Sequence, residues 1–363
     1  MTIRRKLLNF GPHSTDFRSG FGAFAELSKL FAGAVGRPCR AFIVADAGVD
    51  EDRLTQVRHS LTDAGYQLSQ MSVEARDACA FSRYGELAAQ LGAEGITSED
   101  LIVGFGGREI CSLASFSART WLGGVACALV PTTLDAMVCA PTQGIPLSIG
   151  SDRDFVDLVP EVSLVVCDFD FVGGASVERN GMGYVLMTAA HLAESRKCWE
   201  AFESTAAGLI AGDTIALNEA MSASQTSRLN TVKSASPSAR RAFMYGDTTA
   251  RALARCLKSD DVPAYRLLAE GMRFEARLAV DVCDFSVDEM FAQDDRFEDL
   301  GIEELSFQIE PDAFVEALHA ERFARSNRFQ LALPKHPGII RLASVDDGTL
   351  ERHACAFLAS RRP

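Results

Sequence analysis

The chain has 363 residues, enough for one large core or two smaller ones. With 47% hydrophobic and 23% charged residues it is too apolar to be largely disordered. A net charge of −13 excludes the broad basic face of a nucleic-acid binder, yet leaves room for a local basic pocket.

Residues 39–48, CRAFIVADAG, predict a buried strand ending at Asp46 and a glycine turn. Residues 50–66 carry helical periodicity closed by Gly65. A strand at 66–73 and a helix at 80–95 follow. Residues 100–107, DLIVGFGG, form a strong strand-into-glycine-turn signal, and 109–124 a helix stopped by glycines. Residues 125–133, VACALVPTT, complete another strand-and-turn. Strands alternating with helices predict a mostly parallel sheet covered on both faces. Ligands of such sheets bind beyond the carboxyl ends of strands, where Asp46, Gly106, Gly107 and Thr132 fall.

Beyond a further strand at 163–169, the texture turns helical, at 182–202, 238–259, 261–282 and 311–326. The serine-rich 221–239 reads as a loop or helix connection. The tail from 328 reads as two short strands and a closing helix. The expectation is an α/β domain over residues 1–160 and a mainly helical one over 161–363, with the active site in a cleft between them. No apolar run approaches bilayer length, and the N-terminal MTIRRKLLNFG lacks a signal-peptide core. Ten scattered cysteines without a CxxC pair predict reduced thiols and a cytoplasmic protein.

Residues 104–138, GFGGREICSLASFSARTWLGGVACALVPTTLDAMV, resemble the signature region of 3-dehydroquinate synthases and related sugar-phosphate cyclases. The likeness extends to Asp46, to 168–172 (DFDFV), to Arg240 before 245–254 (YGDTTARALA), to 269–279 (AEGMRFEARLA) and to 317–333. It implies a Rossmann-like parallel-sheet domain followed by a helical one. It also implies a reaction that oxidises a sugar alcohol with bound NAD, eliminates phosphate, reduces the ketone and closes a ring. Related proteins are often homodimers.

The family's zinc-binding glutamate and two histidines align with Tyr184, Arg251 and Ala264, which are not zinc ligands. Its Gly-Asp becomes Cys111-Ser112, its Val-Asp becomes Val138-Cys139, and its Gly-Gly-Lys becomes Gln143-Gly144-Ile145. Only charge survives of its terminal Asp-Lys-Lys, as Glu321-Arg322. His191 with Glu194 is a helical pair that could bind metal only if a second such pair faced it. No bound zinc is expected.

For NAD two readings stand. Asp46, Glu74, Gly106, Gly107, Thr132 and Thr133 match a nucleotide site, yet glycines and Pro-Thr-Thr also persist wherever a fold needs its turns. Tyr184, Asp247, Arg251 and Asp135 form a candidate replacement acid–base set, and Lys233, Arg240 and Arg322 a candidate set for an anionic substrate. The resulting expectation is a repurposed, zinc-free biosynthetic enzyme of lyase or cyclase type acting on an anionic sugar-derived or cyclic substrate. The alternative is a pseudoenzyme that binds a ligand or partner. Ordinary 3-dehydroquinate synthase activity ranks last. Neither nucleic acid nor membrane is an expected partner.

Overall fold

Seven strands carry the first half of the protein: β1 (Arg4–Asn9), β2 (Ser14–Gly20), β3 (Arg40–Asp46), β4 (Gln67–Val73), β5 (Leu101–Gly106), β6 (Ala126–Pro131) and β7 (Leu164–Asp168). They form one sheet in the order β1-β2-β7-β6-β5-β3-β4. All neighbours pair in parallel except β1 with β2, an antiparallel hairpin at the edge. The computed structural model describes residues 3–150, 154–174, 176–258 and 262–362 and divides into two units, Met1–Gly173 and Gly174–Pro363. The strand Leu164–Asp168 therefore belongs to the first unit, inserted between β2 and β6.

The central strands are apolar throughout because helices cover both faces of the sheet. Every residue of β5 and β7 is buried. Ile43, Val103, Phe105, Val57 and Leu61 join Phe31 in one core cluster. The Glu51–Asp63 helix starts where expected because the Asp50 carboxylate accepts hydrogen bonds from the backbone N–H groups of Asp52 and Arg53. Asp168, at the end of β7, accepts from the backbone N–H groups of Gly22 and Phe24 at 3.1 and 2.7 Å. It thus ties the segment after β2 to the middle of the sheet.

The second unit is helical, as its alanine-rich periodicity predicts. The segment expected as one helix from 182 is two, Val177–Glu194 and Arg196–Ile210. Ser195 adopts an extended conformation between them, and its hydroxyl caps the second by accepting from Cys198 N–H. Of the serine-rich stretch 221–239, expected as a loop or helix connection, residues 221–233 are the second half of the Thr214–Lys233 helix and 234–238 connect it to the next turn. Small serines and alanines there pack into the bundle: Ala220, Met221, Ser224 and Ser227 are buried. Packing of such a face outweighs weak helix propensity. The 238–259 segment is a 3-10 turn at Ala239–Met244, a left-handed Gly246 and a helix at Asp247–Leu257, with Ser259 outside the described residues. The helix expected from Asp261, also outside them, runs over Ala264–Cys283. The Pro311–Phe323 helix, the hairpin Gln330–His336 with Ile339–Ser344, and the closing Asp347–Ser360 helix follow.

Candidate functional site

The strand ends of the first unit gather most of the residues assigned to a nucleotide. Asp46 ends β3, and its Oδ1 accepts from Gly48 N–H at 2.9 Å. A Cβ on Gly106 would stand 2.8 Å from the Asp46 Cβ and 3.0 Å from the Ile110 side chain, so only glycine lets these pieces meet. Thr132 N–H donates to the Gly106 carbonyl at 2.9 Å, which holds the Pro-Thr-Thr turn beside the glycine turn. Thr133 Oγ1 donates to Asp135 Oδ1 at 2.6 Å. Glu74 is exposed after β4, the edge strand, and no contact with the others is seen.

Glu109 was not singled out by the sequence, yet it sits among these groups, in the first turn of the Arg108–Thr120 helix. Burial raises its carboxyl above the ordinary range, and the charges of Asp135 and Asp46 raise it further. Its own backbone N–H and the Arg108 guanidinium oppose that rise. The available signal was an acid directly after a glycine turn at a helix start, where anions are favoured.

The surroundings of Ser112, Cys139 and Gln143, expected at substituted positions, are packed. Ser112 Oγ donates to the Arg108 carbonyl at 2.6 Å and accepts from Ile145 N–H at 2.8 Å. Only about 10 Å³ remains open beside Arg108, Ser112, Cys139 and Gln143. Burial pushes the Cys111 thiol well up, which disfavours the thiolate a nucleophile needs.

In the second unit Asp247 and Arg251 come together. Asp247 opens its helix, and Arg251 Nε donates to Asp247 Oδ2 at 3.1 Å, both side chains about one-third exposed. Tyr184 is buried, with Asn180 Nδ2 donating to its hydroxyl at 3.4 Å, and burial raises the phenol above its usual range. Asp135 belongs to the first unit, and the other three members of that expected set to the second. Among the described residues there is no group of three or more His, Cys, Asp or Glu side chains able to hold a metal. His191 Nδ1 lies 2.7 Å from the Met187 carbonyl, the ring stacks on Phe202, and burial pushes it down to about 4. Glu194 accepts from Asn230 instead.

Of the cations expected to meet an anion, Lys233 is exposed at a helix end, and Arg240 is exposed and donates to the Ser234 carbonyl at 2.7 Å. Arg322 differs. It is 6% exposed, its Nε lacks a hydrogen-bond partner, and burial and the neighbouring Arg241 press its guanidinium below its usual range. It lines an open pocket of about 510 Å³ with Ser238, Arg241, Met244, Arg325 and Gln330. Glu275 lies near enough that its ionised form would stabilise the Arg322 charge. That carboxylate is fully buried and accepts from Gly246 N–H and Thr249 Oγ1, each at 2.7 Å. Glu275 and Arg325 did not stand out in the sequence. A charged residue on the stripe Met272, Glu275, Ala276 and Ala279 was the signal for the first.

A 3-dehydroquinate synthase N-terminal family model matches residues 71–174. The 3-dehydroquinate synthase of Thermobifida fusca (strain YX) is 34% identical over 174 residues, 47% of this chain and 46% of that one. That of Rhodopirellula baltica (strain DSM 10527 / NCIMB 13988 / SH1) is 25% identical over 362 residues, 93% of this chain and 90% of the other. In sequence and in fold the chain is similar to the sugar-phosphate cyclases. The match spans less than half the length of the first of these relatives. Solved cyclases share the fold. A 2-deoxy-scyllo-inosose synthase complexed with carbaglucose-6-phosphate, NAD+ and Co2+ aligns over 99% of this chain and 100% of its own, with a TM-score of 0.82 and 14% identity. The 2-epi-5-epi-valiolone synthase ValA of Streptomyces hygroscopicus subsp. jinggangensis 5008, with NAD+ and Zn2+ bound, aligns over 96% and 97%, with a TM-score of 0.81 and 17% identity. The α/β architecture with a helical second part is thus the cyclase architecture. Among the described residues no helix is long and apolar enough to cross a membrane.

Proposed function

We propose that this cyclase-like protein is a metal-independent biosynthetic enzyme of lyase or cyclase type, acting on an anionic sugar-derived or cyclic substrate. The observation that carries it is the Arg322 guanidinium, buried, without a hydrogen-bond partner at Nε, and set in a pocket with Arg241 and Arg325. A buried cation without its hydrogen bonds is costly unless something binds it, and a phosphate or carboxylate is its natural partner. The solved relative carrying a sugar-phosphate analogue supports the same substrate class. Lys233 and Arg240 would add positive charge elsewhere in the same unit. Asp247, held by Arg251, is the assigned base, and Tyr184 of the same unit is a further member of the acid–base set. Metal independence is argued from the donor set: a phenol, a guanidinium and an alanine stand at the aligned ligand positions.

Two of the solved relatives carry NAD+, and Asp46, Gly106, Gly107, Thr132 and Thr133 are the residues that would hold it, with Glu74 at the rim. Glu109 counts against it here. A second reading, a pseudoenzyme that binds a ligand without turning it over, is favoured by the packing around Ser112 and Cys139.

The test is calorimetric titration of hexose phosphates and cyclitol phosphates into wild-type protein and Arg322→Gln, with product analysis of each mixture. Saturable binding lost in Arg322→Gln is expected. Binding with no product from any candidate points to the pseudoenzyme, and equal binding by both proteins removes Arg322 from the site.

A further inference from the structure

We infer that Glu109 takes the anion's place at the glycine turn and thereby excludes the pyrophosphate of a dinucleotide from this chain. A sheet of this kind holds a pyrophosphate with two features: glycines whose missing Cβ lets backbone approach, and the N–H groups that precede the first intrahelical bond of the next helix. Both features are present. Gly107 precedes the Arg108–Thr120 helix without a side-chain cap. The N–H of Cys111 is bonded to the Gly107 carbonyl, so those of Arg108, Glu109 and Ile110 precede the first full helical bond.

Both features are already answered from within. Glu109 Oε2 lies 3.3 Å from where a Gly107 Cβ would stand, and Thr133 Oγ1 lies 3.8 Å from the same point. The bare side of the glycine is therefore lined by a carboxylate and a hydroxyl. The backbone N–H of Glu109, one of the donors a phosphate would use, also favours the ionised form of its own carboxyl. Asp46 and Asp135 bring two further carboxylates within electrostatic reach of it, against the single guanidinium of Arg108. A pyrophosphate entering here would have to displace Glu109 and then sit beside two acids. The residues at this turn do not fit the group. The acid makes Glu109 a specificity-determining residue, and the inference stands apart from the arginine pocket, which lies in the other unit.

Isothermal titration of NAD+ and of ADP-ribose into the full-length wild type, Glu109→Ala and Glu109→Gln tests it. ADP-ribose carries the pyrophosphate without the nicotinamide. The wild type is expected to show no saturable binding up to about 1 mM, and both variants to bind both ligands at least about tenfold more tightly. Saturation of the wild type well below that concentration overturns the inference. So does silence of a variant that melts like the wild type, and the near-isosteric Glu109→Gln decides if Glu109→Ala does not fold.

Discussion

Gly271 packs directly on Gly246, backbone against backbone. A Cβ added at Gly271 would run into the Gly246 carbonyl oxygen and come within 3.0 Å of Ala250 N. Gly246 itself has φ 80°, a left-handed conformation, and a Cβ there would lie 2.8 Å from Met272 N. This close approach carries the Gly246 N–H and Thr249 onto Glu275 and sets the start of the helix bearing Asp247 and Arg251.

Gly271→Ala should therefore lower stability despite alanine's better helix propensity. Overpacking costs about 1–3 kcal/mol, and the propensity gain offsets roughly 1 kcal/mol of it. Thermal melts should show a Tm lower by a few degrees. An unchanged or raised Tm would mean that the two helices separate freely.

Stability should also carry a pH signature from Glu275. Burial pushes its carboxyl up to about 8, whereas an unfolded glutamate titrates near ~4.3. The folded state holds this proton more tightly than the unfolded one. Its stabilisation is complete below about pH 4 and is lost as pH rises to about 8. Glu275→Gln, which cannot ionise, should gain on the wild type between pH 5 and pH 8 by roughly 3–4 kcal/mol. Urea denaturation of both proteins at the two pH values measures this, and a difference that stays constant with pH would refute it.

Near the C-terminus, Arg361 Nε donates to the fully buried Glu270 at 2.7 Å, alongside Arg273 at 2.8 Å and Leu305 N–H at 3.0 Å. Removing one partner of a buried pair leaves the other charge uncompensated. Arg361→Ala should cost about 3 kcal/mol in denaturant titrations. A loss below about 1 kcal/mol, the range of surface pairs, would show that Glu270 is satisfied by its other donors.

Arg322 should behave in the opposite sense. Arg322→Met keeps volume and removes a buried charge whose Nε has no partner. Its Tm should equal or exceed that of the wild type while anion binding disappears, the trade expected of a residue kept for function. A large fall in Tm with binding retained would give Arg322 a structural role instead.

Much of this architecture was readable in the residues. The apolar runs ending at Asp46, Gly106 and Pro131 predicted β3, β5 and β6, because buried parallel strands are apolar on both faces. The β1–β2 hairpin was not legible, since its strands, RRKLLN at the edge of the sheet and STDFRSG beside it, carry charge. The serine-rich half of the Thr214–Lys233 helix misled for a related reason: its small residues are helical because neighbouring helices cover them. Of the candidate site, the residue types Asp247, Arg251 and Arg322 were legible, but their circumstances were not. Arg240 and Arg322 are alike in sequence, yet one is exposed and bonded to a carbonyl and the other buried in a pocket.

By itself the sequence determined the alternation of strands and helices, the positions of the glycine turns, and which residue types stand at Tyr184, Arg251 and Ala264. These depend on local periodicity and on residue chemistry, which one dimension records. Only the tertiary structure decided that Glu109 lies across the bare side of Gly107 and that Glu275 and Arg322, 47 positions apart in the chain, share one buried neighbourhood. Burial and distance set the strength of every charge, and both arise only when separate segments pack together.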